Sequence, residues 1–289
     1  MKKENVAKLL MTVAMCIFGS LAPFVRGIGV SSGELALYRA VIAAIMVGGY
    51  LLITEKRLPL SSVGGDLTLL LLSGAAMGIN WILLFEAYKY TTVAVATLSY
   101  YFAPMIVMIV CPLLFKEKLE KKQIISFVMA TLGLVLITGT ALGGKSDIIG
   151  IAFGIGAAIF YATVMLLNKY IKGITGIHRT FVQFLSAVVV LIPYVAFTGG
   201  VTLGTLEANG WWMLMIVCIV HTGVAYCMYF SALGELPGQT VAILSYVDPL
   251  VAVLVSVIWL KESLTLPQII GGLLILGFTL FSELPSRKK

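Results

Sequence analysis

Long apolar stretches separated by short charged or turn-rich segments account for almost the whole chain. Each stretch approaches the roughly 20 residues that a helix needs to cross about 30 Å of hydrocarbon. The stretches are apolar on all sides, whereas strands of a membrane barrel alternate and need only about ten residues. The pattern therefore predicts ten transmembrane helices, at residues 8–26, 34–54, 67–88, 92–115, 122–141, 148–168, 178–198, 208–232, 238–260 and 265–283.

The composition supports an all-helical membrane protein. Hydrophobic residues make up 60% of the chain and charged residues 11%, with a mean hydropathy of +1.04. Soluble globular domains carry about 25% charged residues. The sequence contains no phosphate-binding loop, dinucleotide-binding fingerprint or pair of histidines at metal-ligand spacing, so we expect no cofactor and no metal site.

The basic residues are distributed unevenly along the chain, whose net charge is +7. They lie in loops and tails rather than on a basic face with interleaved aromatic residues, so nucleic acid is not an expected partner. If the N-terminus is cytoplasmic, all 20 Lys and Arg residues lie on the cytoplasmic side except Arg26, Arg39, Lys89, Lys145 and Lys261. The positive-inside rule therefore predicts that both termini lie in the cytoplasm.

An internal repeat with an offset of about 145 residues divides the chain. The segment Ala96–Tyr100, followed by Pro104, recurs as Val241–Tyr246, followed by Pro249. These matches predict a first five-helix repeat over residues 1–145 and a second over residues 146–289. Since five is an odd number, the second repeat must enter the membrane from the opposite side.

The charges of one turn support this inversion. The turn at residues 116–122 is rich in lysine, whereas its copy at residues 261–267 keeps only Lys261. A duplicated turn has therefore lost its positive charge where it is expected to face outward. Inverted repeats that meet near the membrane midplane are typical of carriers that work by alternating access.

Three motifs carry a resemblance to a known family. The segments GINWILLFEAY at residues 78–88, TTVAVATLSYYFAP at 91–104 and KEKL at 116–119 resemble the EamA branch of the drug/metabolite transporter superfamily. The resemblance covers residues 8–283. It implies ten helices in two inverted repeats around a central cavity, and transport of small organic metabolites, often outward. It does not identify a substrate.

Asp248 is the most unusual residue of the apolar stretches. It lies ten residues after Gly238, or about 15 Å at 1.5 Å per residue, which is the middle of the membrane. An ionised carboxylate at this depth is costly and needs a partner or a function. Asp248 could bind a cationic group of a substrate or exchange a proton during turnover; alternatively, a protonated or serine-bonded carboxyl could lock two helices together.

His221 is expected at a similar depth in the eighth predicted helix. A midplane imidazole and a midplane carboxylate could share a proton, which makes His221 the first candidate partner of Asp248. The alternative is that His221 only hydrogen-bonds a neighbouring helix.

Two further charged residues are expected near the outer ends of the second and third helices. A pair between Arg39 and Glu86 would close or line the external mouth of a cavity. Alternatively, each side chain could extend to the lipid headgroups, with Lys89 meeting Glu86 at i, i+3.

Polar and aromatic side chains in the middle of the third, fourth, eighth and ninth predicted helices are candidate cavity residues. An amide, phenolic hydroxyls and an indole among apolar walls would suit an amphipathic solute, although the same side chains could simply pack between helices. The candidates are Asn80, Trp81, Tyr100, Tyr101, Tyr226 and Tyr246.

Pro104 and Pro249 occupy matching positions of the two repeats. Each interrupts the backbone hydrogen bonding of a helix in mid-membrane. They could act as paired hinges or expose carbonyl groups to a substrate, or they could form fixed kinks.

Taken together, these features predict a secondary transporter that moves a small amphipathic metabolite, such as an amino acid or an amine, by alternating access. Export is the expected direction, and the proton is a candidate coupling ion. We expect a monomer in a bacterial plasma membrane whose partners are membrane lipid and the solute. The alternative is a membrane-embedded enzyme or a non-transporting binding protein that uses the same polar residues.

Overall fold

A computed structural model describes residues 2–55, 63–115, 121–140, 145–174, 176–233, 235–236 and 238–283. Every regular element in these ranges is helical, which confirms the predicted fold class at this level. A π-helical segment, Ile216–Val224, joins α10 to α11. The α-helices are α1 (Lys2–Gly19), α2 (Leu21–Gly27), α3 (Ser32–Glu55), α4 (Leu67–Tyr90), α5 (Val93–Tyr100), α6 (Ala103–Phe115), α7 (Lys121–Thr140), α8 (Lys145–Tyr170), α9 (Gly176–Thr198), α10 (Ala208–Met215), α11 (Ala225–Leu233), α12 (Gly238–Ser245), α13 (Val247–Ile258) and α14 (Leu266–Glu283).

Several of these helices can cross a membrane on their own. Among the described residues, seven helical segments are long and apolar enough: Lys3–Gly27, Ser32–Glu55, Gly64–Tyr90, Val93–Val110, Asp147–Tyr170, Gly176–Thr198 and Ala208–Leu233. Two shorter apolar helices, Ile243–Ile258 and Leu266–Ser282, follow them. The chain is therefore a multi-pass integral membrane protein, while the count of ten spans stays a prediction.

The predicted limits of the helices agree with the structure to within about three residues at nearly every end. The exception is α1, which begins at Lys2, although the sequence predicted residue 8. The turn at residues 116–119 and the C-terminal residues 284–289 lie outside the described residues.

Four predicted spans are interrupted, and in three of them a proline, Pro23, Pro104 or Pro249, lies four residues after the last residue of the helix before the break. Pro104 has no N–H to donate to the carbonyl of Tyr100, the last residue of α5. In the same way, Pro249 cannot donate to the carbonyl of Ser245, the last residue of α12. The two matching prolines thus produce matching breaks before α6 and α13.

The other two interruptions lie close to each other. The first predicted span breaks at Ser20, between α1 and α2, and the eighth contains the π-helical segment. A Cβ atom added to Gly19 would overlap the backbone carbonyl of Asp248, so the break in the first span packs directly against α13. The irregular parts of three predicted spans therefore meet in one region of the bundle.

The helix contacts between the two predicted halves occur in matching pairs. Contact of α4 with α8 is matched by contact of α11 with α1, and contact of α4 with α9 is matched by contact of the π-helical segment with α3. Contact of α5 with α8 is likewise matched by contact of α12 with α1. Two further extensive contacts, α3 with α9 and α7 with α14, join helices that are equivalent in the predicted repeat.

Glycine allows α7 and α14 to approach closely. A Cβ atom added to Gly133 would overlap the carbonyl oxygen of Gly271, and one added to Gly271 would overlap the carbonyl oxygen of Gly133. Gly277, further along α14, has open space beside it. Small residues at a contact of two membrane helices permit such backbone approach.

Candidate functional site

A cavity of about 330 Å³ lies inside the bundle, and helices from both halves contribute to its wall. This volume is at the lower end of the range of about 300–1,000 Å³ that small-molecule sites occupy. Five of the six candidate cavity residues line it, together with Asp248: Asn80, Trp81, Tyr100, Tyr101 and Tyr226. Tyr246 and His221 are not part of the described lining.

The sequence missed several lining residues because it gave the depth of a residue but not the direction of its side chain. Helical spacing could have found them once one lining position was known. Tyr88 lies seven residues after Trp81 on the same side of α4, and Tyr229 follows Tyr226 by three residues. On α8, Tyr161 and Asn168 are again seven residues apart.

Asp248 lies in the first turn of α13, and its carboxylate faces the cavity. Its Oδ2 accepts a hydrogen bond of 2.6 Å from the hydroxyl of Tyr101, which lies in the break between α5 and α6. The bond therefore connects the breaks at the two matching prolines across the cavity. Oδ1 receives no hydrogen bond from any residue that the structure describes.

His221 does not contact Asp248 in this structure, so the expected pair is not formed. Its Nε2 lies 3.2 Å from the hydroxyl oxygen of Ser20, and its Nδ1 lies 3.4 Å from the carbonyl oxygen of Ile216. Its ring also packs against Phe24, at 4.9 Å between ring centres. These contacts correspond to the alternative prediction, in which the imidazole joins neighbouring helices at the break in the first span.

Arg39 is not paired with Glu86, which corrects the expected outer pair. Glu86 instead forms an ion pair of 3.0 Å with Lys89, as the i, i+3 alternative predicted. Arg39 is buried, lines the cavity and donates from Nε to the hydroxyl oxygen of Thr222 at 2.9 Å. Depth alone placed Arg39 near an outer mouth, whereas the orientation of α3 turns its side chain toward the centre.

Asn80 and the tyrosines combine lining with packing. The Asn80 side-chain nitrogen donates to the carbonyl oxygen of Ala157 at 2.6 Å, which ties α4 to α8. Tyr100 stacks on Tyr161, with 5.3 Å between ring centres. Tyr226 makes an edge contact with Phe18 at 5.1 Å. These side chains therefore line the cavity and also pack between helices.

One end of the bundle contains a hydrogen-bonded ion pair that the sequence did not suggest. Arg26, at the end of α2, forms an ion pair with Glu262. Its Nε donates to the carbonyl oxygen of Tyr88 at 2.7 Å, and its Nη2 donates to that of Thr91 at 2.5 Å. We call this end of the molecule the Arg26 end.

Glu262 extends the same network to two more segments. Its Oε2 accepts from the backbone N–H of Val93 at 2.9 Å and from the hydroxyl of Ser256 at 2.5 Å. The Arg26–Glu262 network therefore holds together the end of α2, the connection between α4 and α5, and the segment after α13. In the sequence, Glu262 stands out only as part of the repeated turn at residues 261–267.

The cavity reaches toward the opposite end, which we call the Arg179 end. Its lining includes Gly176 and Arg179, at the beginning of α9, but no residue of the connections 199–207 or 259–265 at the Arg26 end. At the Arg179 end, Asp66 accepts hydrogen bonds from the backbone N–H groups of Lys172 and Gly173. The cavity is thus nearer to the surface at the Arg179 end than at the Arg26 end.

The fold and the cavity define the class of protein: a multi-pass helical membrane protein with a central, partly polar cavity lined by helices of both predicted halves. The chain belongs to the EamA-like transporter family, which matches residues 5–139 and again residues 148–283. The resemblance stated from the sequence is thereby confirmed.

Two of three similar proteins carry transporter names. An uncharacterized transporter of Bacillus subtilis, YxxF, is 28% identical over 279 residues, which cover 95% of this chain and 88% of the relative. An uncharacterized transporter of Archaeoglobus fulgidus is 30% identical over 198 residues, with 68% and 69% covered. Protein PecM of Dickeya dadantii is 26% identical over 242 residues, which cover 82% of this chain and 79% of PecM.

A solved structure has the same fold. A crystal structure of a protein that is 17% identical superimposes with a TM-score of 0.65, and the match covers 96% of this chain and 97% of the other. At this identity the match supports the fold and carries no statement about a substrate.

Proposed function

We propose that this protein is a secondary transporter that moves a small amphipathic metabolite by alternating access. The observation that carries the proposal is the cavity: helices of both halves line it, it contains Asp248, which the sequence predicts near the midplane, and the Arg26–Glu262 network lies at one end of it. Transporters with repeated halves bind their solutes near the midplane, at the contact of the halves. The family membership and the transporter names of its relatives support the same class.

The proposed mechanism begins from the state seen in the structure. The Arg26–Glu262 network closes the Arg26 end, and the cavity wall reaches the Arg179 end. Breaking the network while the Arg179 end closes would expose the same cavity to the other side of the membrane. Export requires loading from the Arg179 end, which the positive-inside rule assigns to the cytoplasm because Lys169, Lys172 and Arg179 lie there.

The proposed topology has ten spans in two inverted repeats, residues 1–145 and 146–289, with both termini in the cytoplasm of a bacterial cell. The matching pairs of helix contacts between the two halves support this topology. So do the two family matches, which fall on either side of this boundary.

The test is transport by purified protein in liposomes with and without a proton gradient. Asp248 lies where a solute or a proton would contact both halves, so we expect Asp248→Asn to lose proton coupling or solute selectivity while the protein still folds. Ser245→Ala, which changes a lining residue without altering charge, serves as the comparison.

Equal flux and equal pH dependence of wild type and Asp248→Asn would remove Asp248 from the mechanism. A solute recovered in chemically altered form would favour the membrane-embedded enzyme. Binding without net flux would favour a binding protein that does not transport.

A further inference from the structure

Two side chains of opposite charge face the cavity, and both keep hydrogen-bonding capacity. Arg39 comes from α3 in the first half, and Asp248 comes from α13 in the second half. Both belong to the wall of the same cavity of about 330 Å³. A solute that touches both side chains therefore contacts both halves of the protein.

The Arg39 guanidinium is held in a defined position. Its Cζ lies 4.6 Å from the centre of the Trp81 ring and 5.2 Å from that of Phe85, and its Nε donates to Thr222. The residue is only 3% exposed. Within the described ranges, Nη1 and Nη2 have no hydrogen-bond acceptor, and no carboxylate forms an ion pair with Arg39.

A buried guanidinium without an anion is costly, because only partners of good geometry offset the loss of hydration. The aromatic rings attract the positive charge but accept no ordinary hydrogen bond from its N–H groups. The two terminal nitrogens of arginine match the two oxygens of a carboxylate. Because Arg39 lines the cavity, a solute in the cavity can supply that carboxylate.

Asp248 offers the complementary site. Tyr101 donates to Oδ2, which leaves Oδ1 open to a donor from the cavity. Tyr100 and Tyr226 line the same space, and the faces of aromatic rings favour a nearby cation. An ammonium group next to Asp248 would thus have both a charge-assisted hydrogen bond and aromatic neighbours.

We propose that the cavity selects a zwitterionic metabolite whose carboxylate binds Arg39 and whose ammonium group binds Asp248. The inference rests on the proposed transport function and makes Arg39 a specificity-determining residue. The described lining also contains Arg179, toward the Arg179 end, so it holds two arginines and one aspartate. This balance disfavours a simple amine that has no carboxylate.

The first experiment measures thermal stabilisation of the purified full-length protein by each proteinogenic amino acid, since a ligand that binds the folded form raises its apparent stability. The best amino acid is then compared with its carboxamide and with its deamino analogue. We expect each analogue to bind about tenfold to a hundredfold more weakly, because each lacks one charge-assisted hydrogen-bonding group. Equal binding of the carboxamide, or no binding of any amino acid, overturns the proposal.

Variants assign the two groups to the two residues. Arg39→Gln should abolish the preference for the amino acid over its carboxamide, whereas Arg39→Lys should keep part of it because the charge remains. Asp248→Asn should abolish the preference over the deamino analogue. Lys89→Gln, which removes an exposed cation outside the cavity, should change neither preference. If Arg39→Gln does not fold, Arg39→Lys and the wild-type comparison still decide the matter.

Flux measurements separate this inference from the proposed function. If liposomes containing the protein move an amine or a carboxylic acid as fast as the amino acid, the transporter function stands and the zwitterion inference fails. If no solute of any of these classes crosses, both fail.

Discussion

At the scale of single residues, the Arg26–Glu262 network joins three segments at the end of the bundle that we propose is closed. The ion pair is largely shielded, since the side chains of Arg26 and Glu262 are 29% and 12% exposed. A hydrogen bond to a charged group of this kind contributes about 1.5–3 kcal/mol. Loss of one such interaction is therefore enough to shift a two-state equilibrium about tenfold or more.

We expect Glu262→Gln to favour opening at the Arg26 end. The measurement uses a single cysteine at position 97, which lines the cavity, in a chain whose four native cysteines are replaced. A membrane-impermeant maleimide added from the Arg26 side should react about tenfold faster in the variant. Glu86→Gln, which breaks the Lys89 ion pair at the same end, should leave the rate unchanged. Equal rates for Glu262→Gln and wild type would show that the network does not hold this end closed.

Arg39 shows what the sequence could and could not provide for a single residue. Distance along the helix gave its depth, and an Arg–Glu pair was then the natural expectation. The direction in which a side chain points around the helix axis depends on how the helices pack. In this structure the packing places Arg39 beside Trp81 and Thr222. The same reason explains why Asp248 contacts Tyr101 and not His221.

At the scale of helices, the breaks at the two matching prolines are the clearest case in which sequence and structure agree. Proline lacks the N–H that continues a helix, so its effect is local and can be read from the sequence. The break at Ser20 carries the same signal, since Pro23 cannot donate to the carbonyl of Gly19, the last residue of α1, whereas the π-helical segment around His221 has no comparable signal. That segment lies where Gly19 approaches α13 and where Ser20 contacts His221.

Replacing Pro249 tests whether its break works as a hinge. Pro249→Ala supplies an N–H that can bond to the carbonyl of Ser245, but Pro249 lies in the first turn of α13, where proline is tolerated, so the gain in stability should stay well below the roughly 3 kcal/mol that proline costs inside a helix. If the break moves during transport, the same change should slow transport several-fold. Liposome flux and thermal unfolding measure the two effects.

The matched control is Pro193→Ala, because Pro193 lies inside the continuous helix α9 and outside both breaks. It should leave transport at the wild-type rate. A Pro249→Ala variant that also transports at that rate would identify the break as a fixed kink.

At the scale of the whole molecule, close helix packing rests on particular glycines. Gly271→Ala places a methyl group against the backbone of α7 and should lower stability by about 1–3 kcal/mol. Gly277→Ala, on the same helix but beside open space, should be neutral or stabilise by up to about 1 kcal/mol. Thermal unfolding in detergent compares the two. If Gly271→Ala and Gly277→Ala unfold at the same temperature, the close approach of α7 and α14 at Gly271 does not contribute to stability.

The sequence by itself determined the class of fold, because long apolar stretches and paired prolines act through the chain's own backbone and its transfer into lipid. It also located most of the candidate site, since polar groups are rare enough in a membrane to stand out. Only the tertiary structure decided which of these groups meet. Packing fixes the rotation of each helix, and that rotation brought Arg39 and Asp248 into one cavity and joined Arg26 to Glu262 at one end of the bundle.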